Sequence, residues 1–459
     1  MVNKSHEHLS TVDRARGDLR FFTIVAQNYL AHAFVLGESV LRYHPDATFS
    51  VFLIDDPEHT LEVNLQQHGF QAIYPEHLRV PNYRKFVFQY DVTEASTGVK
   101  PFVIQYLLET GAEKVIYLDP DILCFRRFDE VLEALDEYCI VLTPHICVPV
   151  PDGTFPDERS HLRTGVFNLG FIALRKTESA ERFAEWWATH LKTECLCEPD
   201  AGLFVDQKWV DLVPVCFDGV FILRNRAYNI AYWNLHERAL EEYDNILHET
   251  HSGTKVAFIH FSGFSMEDPD CICRYPLRNP FSRHLDTKRA TLEDRPDLVG
   301  PFRLYRQLLL ASDVGDFSAR SYGYAAYGNG EPISQLERSL YLASVPCRES
   351  VDDPFITGPG SFHSACRKAG IRADTQTMLK PSASEIVKAY RFHIWLIEFA
   401  LRCLLRILGP VRYLEFAKYM RNQFSPINQG FLMRRRTGEP TLQPATASLA
   451  SEARRAQPE

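Results

Sequence analysis

The chain has no run of about 18 uncharged apolar residues, the length a helix needs to cross a bilayer. Residues 1–20 are polar and charged, without the apolar core of a secretory leader. The expectation is a cytoplasmic protein that neither spans a membrane nor is exported. Cysteines number eleven, an odd count without a disulfide framework. Cys195/Cys197 and Cys271/Cys273 are C-x-C pairs rather than the paired C-x-x-C of zinc knuckles, so core or surface thiols in a reducing compartment are expected. Excess basic charge is missing as well. A net charge of −9 argues against broad nucleic-acid binding. No internal repeat is visible.

What is present is ordinary globular material in quantity. At 459 residues, 45% hydrophobic and 24% charged, the chain exceeds one typical domain and can bury a large core. Residues 19–26 are a buried-strand run, and 29–42 an amphipathic helix with Ala33, Leu36, Val40 and Leu41 near one face. A strand at 48–54, a helix at 59–68, a strand at 71–74, a helix at 100–111 and a strand at 114–118 continue the alternation. That pattern predicts an α/β fold of βαβ units on a parallel sheet. Ligands of such sheets collect beyond the carboxyl ends of the strands, where Asn28, Asp55 and Asp119 fall. Further on come a strand at 166–174, a helix at 178–191, a short helix or turn at 208–213 and a strand at 255–261.

Beyond Cys273 the pattern loosens into Gly-, Pro- and aromatic-rich loops. A long helix is expected at 382–408, from a capping box (Ser382 and Glu385) to a Gly409-Pro410 stop. Lys388, Arg391, Glu398, Arg402 and Arg406 form one narrow stripe on it, followed by a second basic helix at 411–422. The expected division is a polar tail (1–18), a catalytic domain (19–275), a loop-rich accessory region (276–380), basic amphipathic helices (381–436) and a disordered tail (437–459).

Asp119-Pro120-Asp121 follows the 114–118 strand. Two carboxylates one residue apart at a strand-end turn can converge on one ion. Hard oxygen ligands suit Mg²⁺ or Mn²⁺, which commonly bridge protein carboxylates and a substrate diphosphate. The same dipeptide spacing alone also describes a solvated turn. What favours the ion is the order of later motifs: Phe167-Asn168-Leu169-Gly170, Asp206-Gln207 and His260-Phe261-Ser262-Gly263.

This series resembles the family 8 glycosyltransferases, retaining enzymes of the GT-A fold that use nucleotide sugars and a divalent metal. The resemblance covers about residues 19 to 263, and Gln27-Asn28-Tyr29 after the first strand looks like that family's nucleotide-binding start. It implies a Rossmann-like mixed sheet flanked by helices, with a helical C-terminal extension here. It implies Asp119, Asp121 and His260 as ligands of Mn²⁺ or Mg²⁺, and the physics agrees, since Mn²⁺ accepts mixed oxygen and nitrogen ligation. Asn28, Tyr29, Lys100, Asp119 and Asn168 would contact the donor, Asn168 alternatively tying a backbone bend at Gly170. Asp206 and Gln207 would carry the chemistry, the first gripping sugar hydroxyls and the second lying at the anomeric carbon. Two departures stand out. Ala26-Gln27 replaces an acidic residue common before the Asn-Tyr pair, and residues 264–269 lack the lysine that meets the diphosphate. Neutralisation then falls to the metal, Lys100 or an arginine such as Arg274.

The implied activity is transfer of a sugar from a nucleotide-linked donor, UDP-linked for preference, to a glycan, lipid-linked or protein acceptor in polysaccharide or glycoconjugate synthesis. Acceptor contacts are expected from 144–163, 228–238 and the region after Cys273. Tyr232-Trp233-Asn234 and His236-Glu237-Arg238 read either as a sugar platform or as core. Residues 382–422 would lie on an anionic membrane at its inner face, or pack on the catalytic domain or a second subunit. Alternatives are a catalytically weak sugar-binding or scaffold protein of the same fold, and a haloacid dehalogenase-like phosphatase. The latter class carries its Asp-x-Asp near the chain start.

Overall fold

The structure, a computed structural model, describes residues 19–56, 64–275, 290–313, 316–344, 351–372 and 390–433. They fall into two compact units, Met1–Pro81 with Val92–Gly323, and Asn82–Asp91 with Tyr324–Glu459.

The first unit is organised by a seven-stranded sheet. Its strands are β1 (Leu19–Val25), β2 (Thr48–Leu53), β3 (Phe70–Ile73), β4 (Lys114–Leu118), β6 (Ile140–Pro144), β7 (Phe167–Arg175) and β10 (Val220–Ile222). The remaining strands are β5 (Ile122–Cys124), β8 (Cys197–Glu198), β9 (Leu203–Phe204), β11 (Leu240–Tyr243), β12 (Ile246–Glu249), β13 (Thr254–Lys255) and β14 (Phe258–His260). The large sheet runs β10-β6-β7-β4-β1-β2-β3. β1 is parallel to β2 and β4, and β2 to β3, as the alternation predicts. β7 enters antiparallel to both β4 and β6, which makes the sheet mixed. Strands covered on both faces read as nearly unbroken apolar runs. β7 shows this: all but its last residue are buried.

Helices Leu30–Tyr43, Lys100–Glu109 and Glu178–Leu191 appear as expected. The expected 59–68 helix falls partly on residues outside those described. Its described remainder is a 3-10 turn, Leu65–His68, ended by Gly69 at φ 75°. The expected 255–261 strand is divided between β13 and β14, because its halves bond different partners: Val256 N–H donates to Leu247 and Ala257 N–H to Ala227, both at 2.8 Å.

The second unit contains helix Tyr83–Gln89, which the sequence reading did not anticipate. Arg338 is buried there and donates to the carbonyls of Val87, Phe88, Tyr90 and Tyr324. Phe88 packs edge-on against Tyr341, Phe355 and Phe362. The Ser382 capping box and the tail from 437 lie outside the described residues. Helix Arg391–Phe424 is interrupted at Gly409, whose φ 71° and ψ 168° are not helical, so the expected stop is a sharp kink between two helical arms.

Candidate metal and donor site

The site begins where β4 ends. Asp119 N–H donates to Gly170 O at 2.8 Å, and Ile122 N–H returns to Asp119 O at 3.2 Å, closing a tight turn before β5. β5 then pairs antiparallel with β14, setting His260 opposite Ile122, and Phe261 N–H donates to Asp121 O at 2.8 Å. Turn and ladder together bring the three candidate ligands to one point. His260 Nε2 lies 2.9 Å from Asp121 Oδ1 and 3.6 Å from Asp119 Oδ2. One ligand atom from each residue falls within 4.8 Å of the others. The imidazole is 3% exposed, against 29% and 21% for the Asp119 and Asp121 side chains. The acids therefore face outward over a fixed ring.

Gly170 makes the ring's position available. A Cβ there would sit 2.5 Å from His260 Cε1 and 2.8 Å from Nδ1. Tyr117 Oη donates to Asp119 Oδ1 at 2.6 Å and aims that carboxylate. Burial pushes Asp119 above the ordinary carboxylate range, partly offset by the charges of Lys100 and His260. Burial also works against Asp121, yet the charge and hydrogen bond of His260 overcome it and leave Asp121 below its usual value. His260 is raised: burial disfavours its cation, and the two carboxylates reverse that preference. The donor set, two hard oxygens and one imidazole, fits a divalent cation of the Mg²⁺ or Mn²⁺ kind. His260 Nδ1 is buried without a hydrogen-bond partner among the described residues.

A second acid lies deeper. Lys100 Nζ contacts Asp206 Oδ2 at 2.5 Å and Leu169 O at 2.8 Å, and sits 4.1 Å from the Tyr117 ring centroid. The paired side chains are 1% and 2% exposed. Burial lifts Asp206 to about 6 in spite of Lys100. Gln207 is held at both ends of its amide: Nε2 donates to Thr164 O at 2.8 Å, and Oε1 accepts from Leu169 N–H at 3.5 Å. Asn168 Oδ1 accepts from Gly170 N–H at 3.2 Å and from Asn229 Nδ2 at 3.0 Å. Of the two readings open for Asn168, this geometry favours the backbone tie.

Asn28 and Tyr29 occupy a 3-10 turn, Gln27–Tyr29, beyond β1. Tyr29 stacks on His32 at 4.6 Å. Burial raises the Tyr29 phenol, with the Asp121 charge adding to the effect and the Arg274 charge opposing it. Asp55, at the end of β2, is occupied in holding backbone: it accepts from the N–H groups of Gln27, Asp56 and Gly323.

The 228–238 segment does not present its polar groups as a platform. Asn234 is buried and bonds Ala231 N–H, His145 O and Asn229 O. Glu237 accepts from Cys147 N–H at 2.9 Å, and buried Arg238 donates to Asn229 O at 2.9 Å. Trp233 is also buried, its ring edge-on to His260 at 5.2 Å. Tyr275, which the Asp121 charge reaches, went unnoticed in the sequence because an isolated aromatic after a loop carries no periodic signal.

Residues 54–213 match the family model described as nucleotide-diphospho-sugar transferase. That span holds Lys100, Asp119, Asp121, Asn168, Asp206 and Gln207, while Asn28, Tyr29 and His260 lie outside it. A Bacillus subtilis (strain 168) protein, the uncharacterized YfnD, is 22% identical over 250 residues, covering 54% of this chain and 78% of its own. Among solved structures, the galactosyltransferase LgtC in complex with donor and acceptor sugar analogues is 17% identical. That match covers 64% of this chain and 95% of LgtC, with a TM-score of 0.36. Mouse xyloside xylosyltransferase 1 is 15% identical over 53% of this chain and 96% of its own, with a TM-score of 0.31.

Proposed function

We propose, from a nucleotide-diphospho-sugar transferase domain of divergent GT-A-like fold in a glycosyltransferase, that the chain moves a sugar from a UDP-linked donor to an acceptor hydroxyl with retention, using Mn²⁺ or Mg²⁺. The observation carrying this reading is the convergence of Asp119, Asp121 and His260 at the carboxyl edge of the sheet. When bound, the ion supplies Lewis-acid stabilisation of the departing nucleotide's charge.

The chain's own residues do the rest. Asp119 and Asp121 present carboxylate oxygens outward, and the β5–β14 ladder fixes the imidazole between them. Asn28 and Tyr29 hold base and ribose beyond β1. Asp206, to which the resemblance assigns the sugar hydroxyls, is spent on Lys100 beneath the surface, next to Gln207. Gln207 keeps a free lone pair on its restrained carbonyl, which faces positive charge growing at the anomeric carbon. The acceptor hydroxyl attacks the face the leaving group vacates and gives its proton to the departing phosphate, so configuration is retained. The test is a nucleotide-sugar panel scored by thermal shift with and without Mn²⁺, followed by donor hydrolysis. Stabilisation by no nucleotide sugar under either condition overturns the reading.

The acceptor in this reading is lipid-linked or part of a surface polysaccharide, met at the inner face of the membrane. Among the described residues no helix is long and apolar enough to cross a bilayer. Helix Arg391–Phe424 nevertheless has no buried residue and exposes Phe392, Trp395, Ile397, Phe399 and Ile407 beside Arg391, Arg402, Arg406, Arg412, Lys418 and Arg421. Apolar surface with cationic charge, in a chain of net −9, suits an anionic bilayer better than a second copy of the same cationic helix. Flotation with anionic vesicles but not neutral ones is expected. A soluble dimer that ignores vesicles overturns this part.

A further inference from the structure

A donor diphosphate carries more negative charge than one divalent ion, already shared by two carboxylates, can cancel. A cation of the protein's own is therefore required near Asp119 and Asp121. Lys100 is fully engaged with Asp206 and Leu169 O beneath the surface. His32 is kept neutral by burial, which lowers it to about 4. Residues 264–269 contain no lysine.

The chain meets this demand by folding back on itself. After His260 and Phe261, Gly263 turns at φ 78°, and residues 264–273 leave and return, so that Arg274 N–H donates to Gly263 O at 2.9 Å. A Cβ on Gly263 would lie 2.8 Å from Cys273 Sγ and 2.9 Å from the Tyr275 ring, so glycine lets the returning segment lie against the outgoing one. The excursion is anchored. Phe264, Cys271, Ile272 and Cys273 are buried, Phe264 N–H bonds Phe261 O at 2.9 Å, and Ile272 N–H bonds Ala290 O at 2.9 Å.

Arg274 itself is exposed. Its guanidinium carbon stands 5.8 Å from the Tyr275 ring centroid, and the Tyr29 and Tyr275 phenols act on its charge. No carboxylate among the described residues pairs with it. A planar guanidinium with uncommitted donors, set beside an aromatic ring, is suited to two phosphate oxygens at once. It lies between the turn beyond β1 and the strand bearing His260, which are the nucleoside end and the metal end of the proposed donor site.

We propose that Arg274 is the diphosphate-binding cation of this site, delivered by the loop closed on Gly263, an inference that rests on the function proposed above. The experiment is calorimetric titration of the full chain with UDP, GDP and ADP at saturating Mn²⁺. The tightest binder is then compared with its nucleoside on wild type, Arg274→Ala and Arg274→Lys. Mn²⁺ titration alone and thermal melting accompany each variant. Arg274→Ala should weaken the nucleoside diphosphate about 10- to 100-fold, leave nucleoside and Mn²⁺ binding unchanged and melt like wild type. Arg274→Lys should recover part of the loss. Undiminished diphosphate binding by Arg274→Ala overturns the assignment, as does an equal loss of nucleoside or Mn²⁺ binding. If wild type binds no nucleoside diphosphate, the glycosyltransferase reading fails along with it, and that result is distinguishable from the variant's own.

Discussion

Two acidic centres lie along the same edge of the sheet and have been treated oppositely by the fold. Asp206 is buried with its counter-ion, and both side chains are closed to water. Asp119 and Asp121 stand partly exposed over a buried imidazole, one ring against two carboxylates. The first centre has its charge balance built in. The second is left with surplus negative charge and outward oxygens. A carboxylate's environment thus separates a structural ion pair from a site that still wants a cation.

Breaking the closed centre should have the largest effect. Lys100→Met strands Asp206 without its partner, and unfolding free energy should drop by about 3–5 kcal/mol in urea titration. Replacing both residues with apolar side chains should cost far less. Equal losses in the single and double variants would show that Lys100 acts through packing rather than pairing. At the open centre, Asp121→Asn should lower metal-dependent donor turnover about 10²–10³-fold with little change in melting temperature, measured by nucleotide release. A loss of stability matching that of Lys100→Met would erase the distinction between the two centres.

Gly170→Ala probes the contact joining sheet to imidazole. The new methyl would meet His260 at 2.5 Å, so it should destabilise by about 1–3 kcal/mol and weaken Mn²⁺ binding beyond what Asn168→Ala does. Calorimetry on the two variants decides it. The last effect concerns pH. Burial first, then the charge of Arg127, lower His44 to about 4 from an ordinary 6.5. The neutral ring accepts Phe128 N–H at 3.2 Å. Because the unfolded chain binds the proton more readily, this stability is full above pH 6.5 and is lost as pH falls toward 4. Between pH 7 and 5 the loss is about 2 kcal/mol. His44→Gln should flatten that part of the stability-versus-pH curve in chemical denaturation.

Much of this was legible in the chain, for reasons that vary by residue. β1, β2, β4 and β7 are covered on both faces, so their apolar runs announced them. Asp119 and Asp121 were found because a turn directly after a buried strand leaves short polar side chains only one place to go. The antiparallel entry of β7 between β4 and β6 was not readable from alternation, since strand order depends on pairings distant in sequence. Helix Tyr83–Gln89 is only seven residues long, too short to show a helical period. Asn234, Glu237 and Arg238 left platform and core both open because polar composition suits either, and only the fold shows those groups spent on backbone. Arg274 could be named from its charge, but its return to Gly263 is a property of the loop.

The two-stranded ladder between β5 and β14 has a temporal consequence. A nascent chain halted at Val213 would already hold both acidic ligands, yet it would lack the strand that bears the imidazole and leave β5 without its neighbour. In the reading proposed above, tight capture of a cation then waits until the segment bearing residue 260 has been made and has paired with β5.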